Sequence, residues 1–374
     1  NFNGYLVNFY MTINNIISEI ELVAALAYQE EYDNSGLITG QKEWNTNGVL
    51  FSLDCTEEIV DEAIRLKSNL IVAHHPIVFS GLKKLNGNNY IERTIIKAIK
   101  NDIAIYACHT NMDNVAQGVN KKIADRLGLI NTSILCPKKG VLKKLVTYVP
   151  ETHHQKVLEA LFNAGAGQIG NYTNCSFNTS GSGTFKGNEQ SKPFVGVPNE
   201  LSSEKEIKIE TIFESAFENT LINALKQAHP YEEVAFDIYQ LQNTHPNIGS
   251  GMIGYLKKPL KEEEFLKFVK ETFKSNCIKH TAKTGNMIEK IAFCGGSGRF
   301  LLKDAIKSGA DAYITADFKY HEFFDVDKNL ILIDVGHFES EQFTPEIFYD
   351  IIQNKFPTFA IHLSKINTNP INYF

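Results

Sequence analysis

Leu70-Ile71-Val72-Ala73-His74-His75-Pro76 is the stretch on which the architecture turns. Four consecutive apolar residues read as a strand buried on both faces, the habit of parallel sheets. Adjacent side chains on an extended strand point to opposite faces. Two neighbouring imidazoles therefore reach one site only where the strand ends, and Pro76 marks that end. Two further runs have the same form. Ile103–Ala107 leads into Cys108-His109-Thr110-Asn111-Met112-Asp113, and Leu330–Asp334 leads into Val335-Gly336-His337-Phe338-Glu339-Ser340-Glu341. In open parallel sheets, ligands collect beyond the carboxyl ends of the strands. The three runs thus predict that His74, His75, Asp113, His337 and Glu341 gather on one sheet edge as metal ligands.

Strands and helices alternate around these runs, which predicts an α/β layer. Ile13–Ala27 has a helical period, Asp33–Leu37 reads as a turn, and Val49–Leu53 reads as a strand. Asp54 or Thr56 caps a helix reaching about Lys67, and further helices are expected over Ile91–Lys100 and Val115–Leu127. The character changes after Leu135. The order β-α-β-β-α-β follows, with a Gly/Ser/Asn/Thr-rich stretch over Gly167–Gly187 that suggests hairpins. That order is ferredoxin-like, and it predicts an inserted α+β domain over 136–246. The insertion would separate a first α/β half, 11–135, from a second, 247–374.

At 374 residues the chain exceeds the size at which single cores stop growing. A formal charge of -6 argues against nucleic-acid binding by bulk electrostatics. No apolar run approaches the ~20 residues that span a bilayer. Asn1–Tyr10 lacks pattern and reads as an extension ahead of Met11. The six cysteines are scattered, which fits a reducing cytoplasm. Cys277-Ile278-Lys279-His280 has metal-like spacing but no second pair, and does not read as a metal site.

The candidate ligands have bland alternatives. Asp113 on its own reads as a helix cap, and His109 as a hydrogen-bonding partner of the metal shell. His337 and Glu341 are four apart and share a helical face. Five ligands exceed what one tetrahedral ion with an open position needs, and suit two ions bridged by Glu341 or Asp113. Mixed imidazole and carboxylate donors suit zinc, iron, manganese or cobalt. The surplus positive charge favours an anionic substrate. Gly295-Gly296-Ser297-Gly298 precedes a helix and offers free N–H groups to a phosphate. Asp317 and His321 are also four apart and supply a general acid or base.

The motifs Asp33–Leu37, His74-His75-Pro76, His109–Asp113, Gly295–Gly298 and Gly336–Glu341 together resemble the GTP cyclohydrolase I type 2 family, also called the Ngg-interacting-factor-three family. The resemblance runs from Met11 to the C-terminus. It implies two intertwined α/β halves around a dinuclear metal site, with ligands at His74, His75, Asp113, His337 and Glu341, and a homohexamer. Gly181–Gly187 and His229-Pro230-Tyr231-Glu232-Glu233 resemble the longer members, whose insertion is similar to PII and CutA proteins. The implied activity is opening of the guanine imidazole ring by a metal-activated water, with His109 or His321 moving protons. Lys83, Lys84 or Lys319 would meet the triphosphate. A nucleotide or other phosphorylated small molecule is the implied substrate; a phosphoesterase or a non-catalytic metal-binding ring is the alternative.

Overall fold

The computed structural model describes residues 11–374; the reading of 1–10 as an extension lies outside the described residues. The chain forms two compact units. One runs to Pro137 and resumes at Pro246, and the other is Lys138–His245.

The larger unit is a mixed α/β fold with two sheets. The first has strands Gly36–Thr39, Ala104–Ala107, Leu70–Ala73, Val49–Ser52 and Ile361–Leu363, in that spatial order. Its four later members run parallel; Gly36–Thr39 pairs antiparallel with Ala104–Ala107 at one edge. The second sheet is ordered Lys279–His280, Ile331–Asp334, Ala312–Ala316, Met287–Ser297, Gly249–Lys261 and Ile130–Pro137. Three of its strands, Met287–Ser297, Ala312–Ala316 and Ile331–Asp334, are parallel neighbours. Each part of the chain contributes a strand to the other's sheet. Ile361–Leu363 joins the sheet of the first part, and Ile130–Pro137 joins that of the second.

The apolar runs bury as a parallel sheet requires: every residue of Leu70–Ala73, Ala104–Ala107 and Ile331–Asp334 is buried. Helices Glu57–Leu66 and Tyr90–Lys100 cover the first sheet through Ile59, Val60, Ala63, Ile95 and Ala98.

Several local expectations are corrected. Asp33–Leu37 is only partly a turn, because Gly36 begins a strand. The helix expected over Val115–Leu127 begins only at Val119 and runs to Arg126, since the chain first pairs Val115 with Ile248. Gly249–Lys261 is a strand of 13 residues that three glycines and a proline hide from pattern reading.

The smaller unit has the order β-α-β-β-α-β, with strands arranged Ser176–Phe185, Ser202–Glu214, Leu142–Pro150, Phe236–Gln240, all neighbours antiparallel. The expected hairpins over Gly167–Gly187 resolve into an irregular lead-in and the strand Ser176–Phe185. One face packs Leu145, Val149, Ile209 and Phe213 against helices His154–Asn163 and Glu218–Ala228.

Candidate metal centre

The predicted ligands do not meet at one sheet edge. His74 and His75 follow Leu70–Ala73, and Asp113 lies beyond Ala104–Ala107, both in the first sheet. His337 and Glu341 follow Ile331–Asp334 in the second. The carboxyl ends of two sheets converge, and the five side chains come together between them. His75 Nε2 is 2.9 Å from Glu341 Oε2, His337 Nε2 is 3.1 Å from the same oxygen, and the two ring nitrogens are 3.3 Å apart. On the other carboxylate oxygen, His74 Nε2 is 3.8 Å from Glu341 Oε1 and 3.6 Å from Asp113 Oδ1. Each oxygen of Glu341 thus faces its own ligand pair.

Each imidazole has its Nδ1 occupied. His74 Nδ1 bonds the Cys108 carbonyl at 2.9 Å. A carbonyl only accepts, so Nδ1 carries the proton and Nε2 keeps its lone pair. Carboxylates do the same elsewhere: Asp54 for His75 at 2.7 Å, Asp33 for His109 at 2.8 Å and Asp317 for His337 at 2.6 Å. Such carboxylate–histidine pairs orient metal ligands and raise their basicity. His74 Nε2 and Asp113 Oδ1 are buried without any hydrogen-bond partner. Buried polar atoms are nearly always paired, so two orphans facing each other fit a cation. Three overlapping groups have ligand-bearing spacing: His74/Asp113/Glu341, His75/His337/Glu341 and His74/His75/His109.

The electrostatics follow from this crowding. The facing Glu341 carboxylate, opposed by burial and aided by Asp317, pushes His337 up to about 11. Burial works against His75, but its bonds to Asp54 and Glu341 prevail and raise it to about 9. Burial, and then Glu341, raise Asp113 to about 7. Glu341 is driven well below the usual carboxylate range by the surrounding imidazoles, despite the burial that opposes this.

The structure revises other roles. Asp113 caps no helix: Val119–Arg126 starts at Gly118, and Asp113 closes the short helix before it. Gly295–Gly298 does not offer a free phosphate cradle. The N–H of Gly295 donates to Asn120, that of Gly296 to Ser340 and that of Gly298 to Thr315. Gly296 instead makes room for the cluster, since a Cβ there would lie 2.4 Å from Glu341 Oε1. Asp317, at a left-handed φ of 63°, is committed to His337, so it positions a ring rather than serving as a free acid. His321 is exposed, packs against Tyr320 and does not line the cavity over the cluster. His109 does line it, with its ring 5.2 Å from that of His74.

That cavity, about 440 Å³, is bounded also by Tyr32, Phe79 and Phe300, and no lysine or arginine among the described residues lines it. Lys83, Lys84 and Lys319 therefore do not converge on it. Two positioning residues escape pattern reading. Asp54 looks like a helix cap and Asp33 like a turn residue, yet both hold histidines. The available signal for Asp54 was its place just beyond a parallel strand, the position His74 and Asp113 share.

A mixed α/β protein with converging sheet ends and a candidate imidazole–carboxylate metal cluster is the class this fold and site define. Within it, the chain belongs to the Duf34/NIF3 (NGG1p interacting factor 3) family, whose model matches residues 11–370. A Bacillus subtilis protein named GTP cyclohydrolase 1 type 2 homolog is 38% identical over 364 residues, covering 96% of this chain and 97% of its own. The Halalkalibacterium halodurans protein of the same name is 39% identical over 348 residues, 92% of this chain and 94% of its own. The crystal structure of a Bacillus cereus protein related to NIF3 superposes with a TM-score of 0.81 at 38% identity, covering 97% of this chain and 99% of that one. No helix among the described residues is long and apolar enough to cross a membrane.

Proposed function

We propose that this chain is a dinuclear-metal-dependent hydrolase acting on a nucleotide or another phosphorylated small molecule. Hydrolytic opening of a purine nucleotide, the activity in its relatives' name, is the leading case. One observation carries the reading: the unpaired, buried His74 Nε2 and Asp113 Oδ1 face each other beside Glu341. By donor type, zinc, iron, manganese or cobalt would bind there and supply Lewis acidity and a more acidic water. His74, Asp113 and Glu341 Oε1 would hold one ion, His75, His337 and Glu341 Oε2 the other, with Glu341 bridging. Asp54 and Asp317 keep His75 and His337 oriented. His109, steadied by Asp33, presents its remaining ring nitrogen as a proton carrier. Tyr32, Phe79 and Phe300 provide flat apolar walls for a heterocycle. The same reading includes a homohexamer, a PII/CutA-like inserted unit and a reducing cytoplasmic location.

A metal-holding regulator is the second reading, favoured by a cavity wall that carries no lysine or arginine among the described residues. Elemental analysis of the purified protein, followed by assay against GTP, other nucleotides and simple phosphoesters, separates the two. Two ions per chain are expected, with turnover lost in His75→Ala and Glu341→Ala. Two retained ions without turnover on any of these substrates would reject catalysis in favour of the regulator. Light scattering of the native protein tests the hexamer.

A further inference from the structure

A second cavity, about 660 Å³, lies wholly within the smaller unit, and the hydrolytic reading does not use it. It occupies the sheet face opposite the helices. On strand Ser202–Glu214, Ile207, Ile209 and Phe213 belong to the core beneath those helices. Glu206 and Lys208 alternate with them and so point the other way. The cavity joins two motifs far apart in sequence, Gly181–Gly187 and Tyr231–Glu233. The Lys192 N–H donates to Glu232 at 2.8 Å, tying the segment after Gly187 to the Tyr231 turn. His229 pins that turn from within, bonding the Tyr148 carbonyl through Nε2 and receiving the Tyr231 N–H on Nδ1.

Glu206 is the unusual member. Its residue is only 9% exposed, yet no lysine, arginine or histidine among the described residues pairs with it. The Tyr231 hydroxyl donates to Oε1 at 2.9 Å, and among the described residues no N–H or O–H donates to Oε2. The carboxyl lies against Gly183, where a Cβ would come within 2.0 Å of Oε2. Glu206 thus offers the cavity a mostly buried carboxyl oxygen that a ligand's N–H can meet. Around it stand aromatic rings: Phe185 and Phe194 each lie about 6 Å, centroid to centroid, from Tyr231. The volume is that of small-molecule sites, and an apolar lining with a few convergent polar groups is their usual composition.

We propose that this cavity binds a planar nitrogen heterocycle of nucleoside size, whose adjacent N–H donors meet Glu206 while its ring lies against Phe185, Phe194 and Tyr231. Two neighbouring N–H groups in one plane match the two oxygens of one carboxylate, and the aromatic walls accept a flat face. A 2-amino-6-oxopurine nucleoside has both features; a 6-oxopurine lacking the exocyclic amine offers only one donor.

Isothermal titration of the full-length, metal-loaded protein with guanosine and with inosine tests this. With the other cavity's site removed in His75→Ala, guanosine is expected to bind once per chain, with inosine roughly tenfold weaker for the lost donor. Glu206→Gln should weaken guanosine at least tenfold, and Phe194→Ala, at a half-exposed ring, severalfold. His75→Ala, in the other cavity, should leave guanosine binding intact, which separates this site from the proposed hydrolytic one. Absence of saturable guanosine binding up to about millimolar concentration would overturn the proposal. So would wild-type affinity in Phe194→Ala and Glu206→Gln, or loss of binding in His75→Ala. If Glu206→Gln does not fold, Phe194→Ala and the inosine comparison decide.

Discussion

His75 and His337 lie among more carboxylate than imidazole can neutralise. Without a cation, Glu341, Asp54 and Asp317 hold protons on both rings, at about 9 and about 11. A base whose native pKa lies above its unfolded value of 6.5 contributes stability below that value and loses it as pH rises through the native one. The metal-free protein should therefore lose thermal stability as pH rises from 6.5 towards 9. Divalent metal should bind more tightly over the same interval, because an imidazolium cannot ligate and its proton must leave. Calorimetric zinc titrations at several pH values measure this. An affinity that is level across the interval, with no proton release, contradicts it.

At the scale of elements, the strand Met287–Ser297 does more than complete a sheet. Its end passes so close to the short helix His337–Glu341 that only a residue without a side chain fits. At Gly296, φ is 59° and a Cβ would lie 2.4 Å from Glu341 Oε1 and 3.2 Å from His337 Cε1. Gly296→Ala adds backbone strain of about 1 kcal/mol and displaces the Glu341 carboxylate. The variant is expected to fold with slightly reduced thermal stability while holding less than one ion per chain, measured by elemental analysis. Full metal content in a folded Gly296→Ala protein would show that the strand and helix separate more freely than their packing indicates.

For the whole molecule, the cluster joins two sheets built from sequence-distant parts, whereas the unit Lys138–His245 has its own core. A ligand that binds only the native state stabilises by about 2.7 kcal/mol at a hundredfold excess over its dissociation constant. In a unit of this size that corresponds to roughly 5–10 °C. Scanning calorimetry should then show a metal-sensitive transition for the larger unit and a second, unmoved by chelator, for the smaller. One transition that shifts as a whole on chelation would mean that the two units unfold together.

The apolar runs at Leu70–Ala73, Ala104–Ala107 and Ile331–Asp334, and the ligand types that follow them, were readable from residue order alone. Burial on both faces leaves a continuous hydrophobic signature, and a strand's end is local information. The motifs that carry the family resemblance are local too. Tertiary structure alone decided that two sheets rather than one supply the clustered imidazoles and carboxylates, and that Ile130–Pro137 and Ile361–Leu363 cross between them. It alone turned Asp33 and Asp54 from turn and cap into holders of histidine. It also tied up the N–H groups of Gly295, Gly296 and Gly298 and left His321 outside the cavity. These are facts of pairing between segments distant in the chain. Which distant groups meet is set by how whole sheets pack, and no local pattern records it.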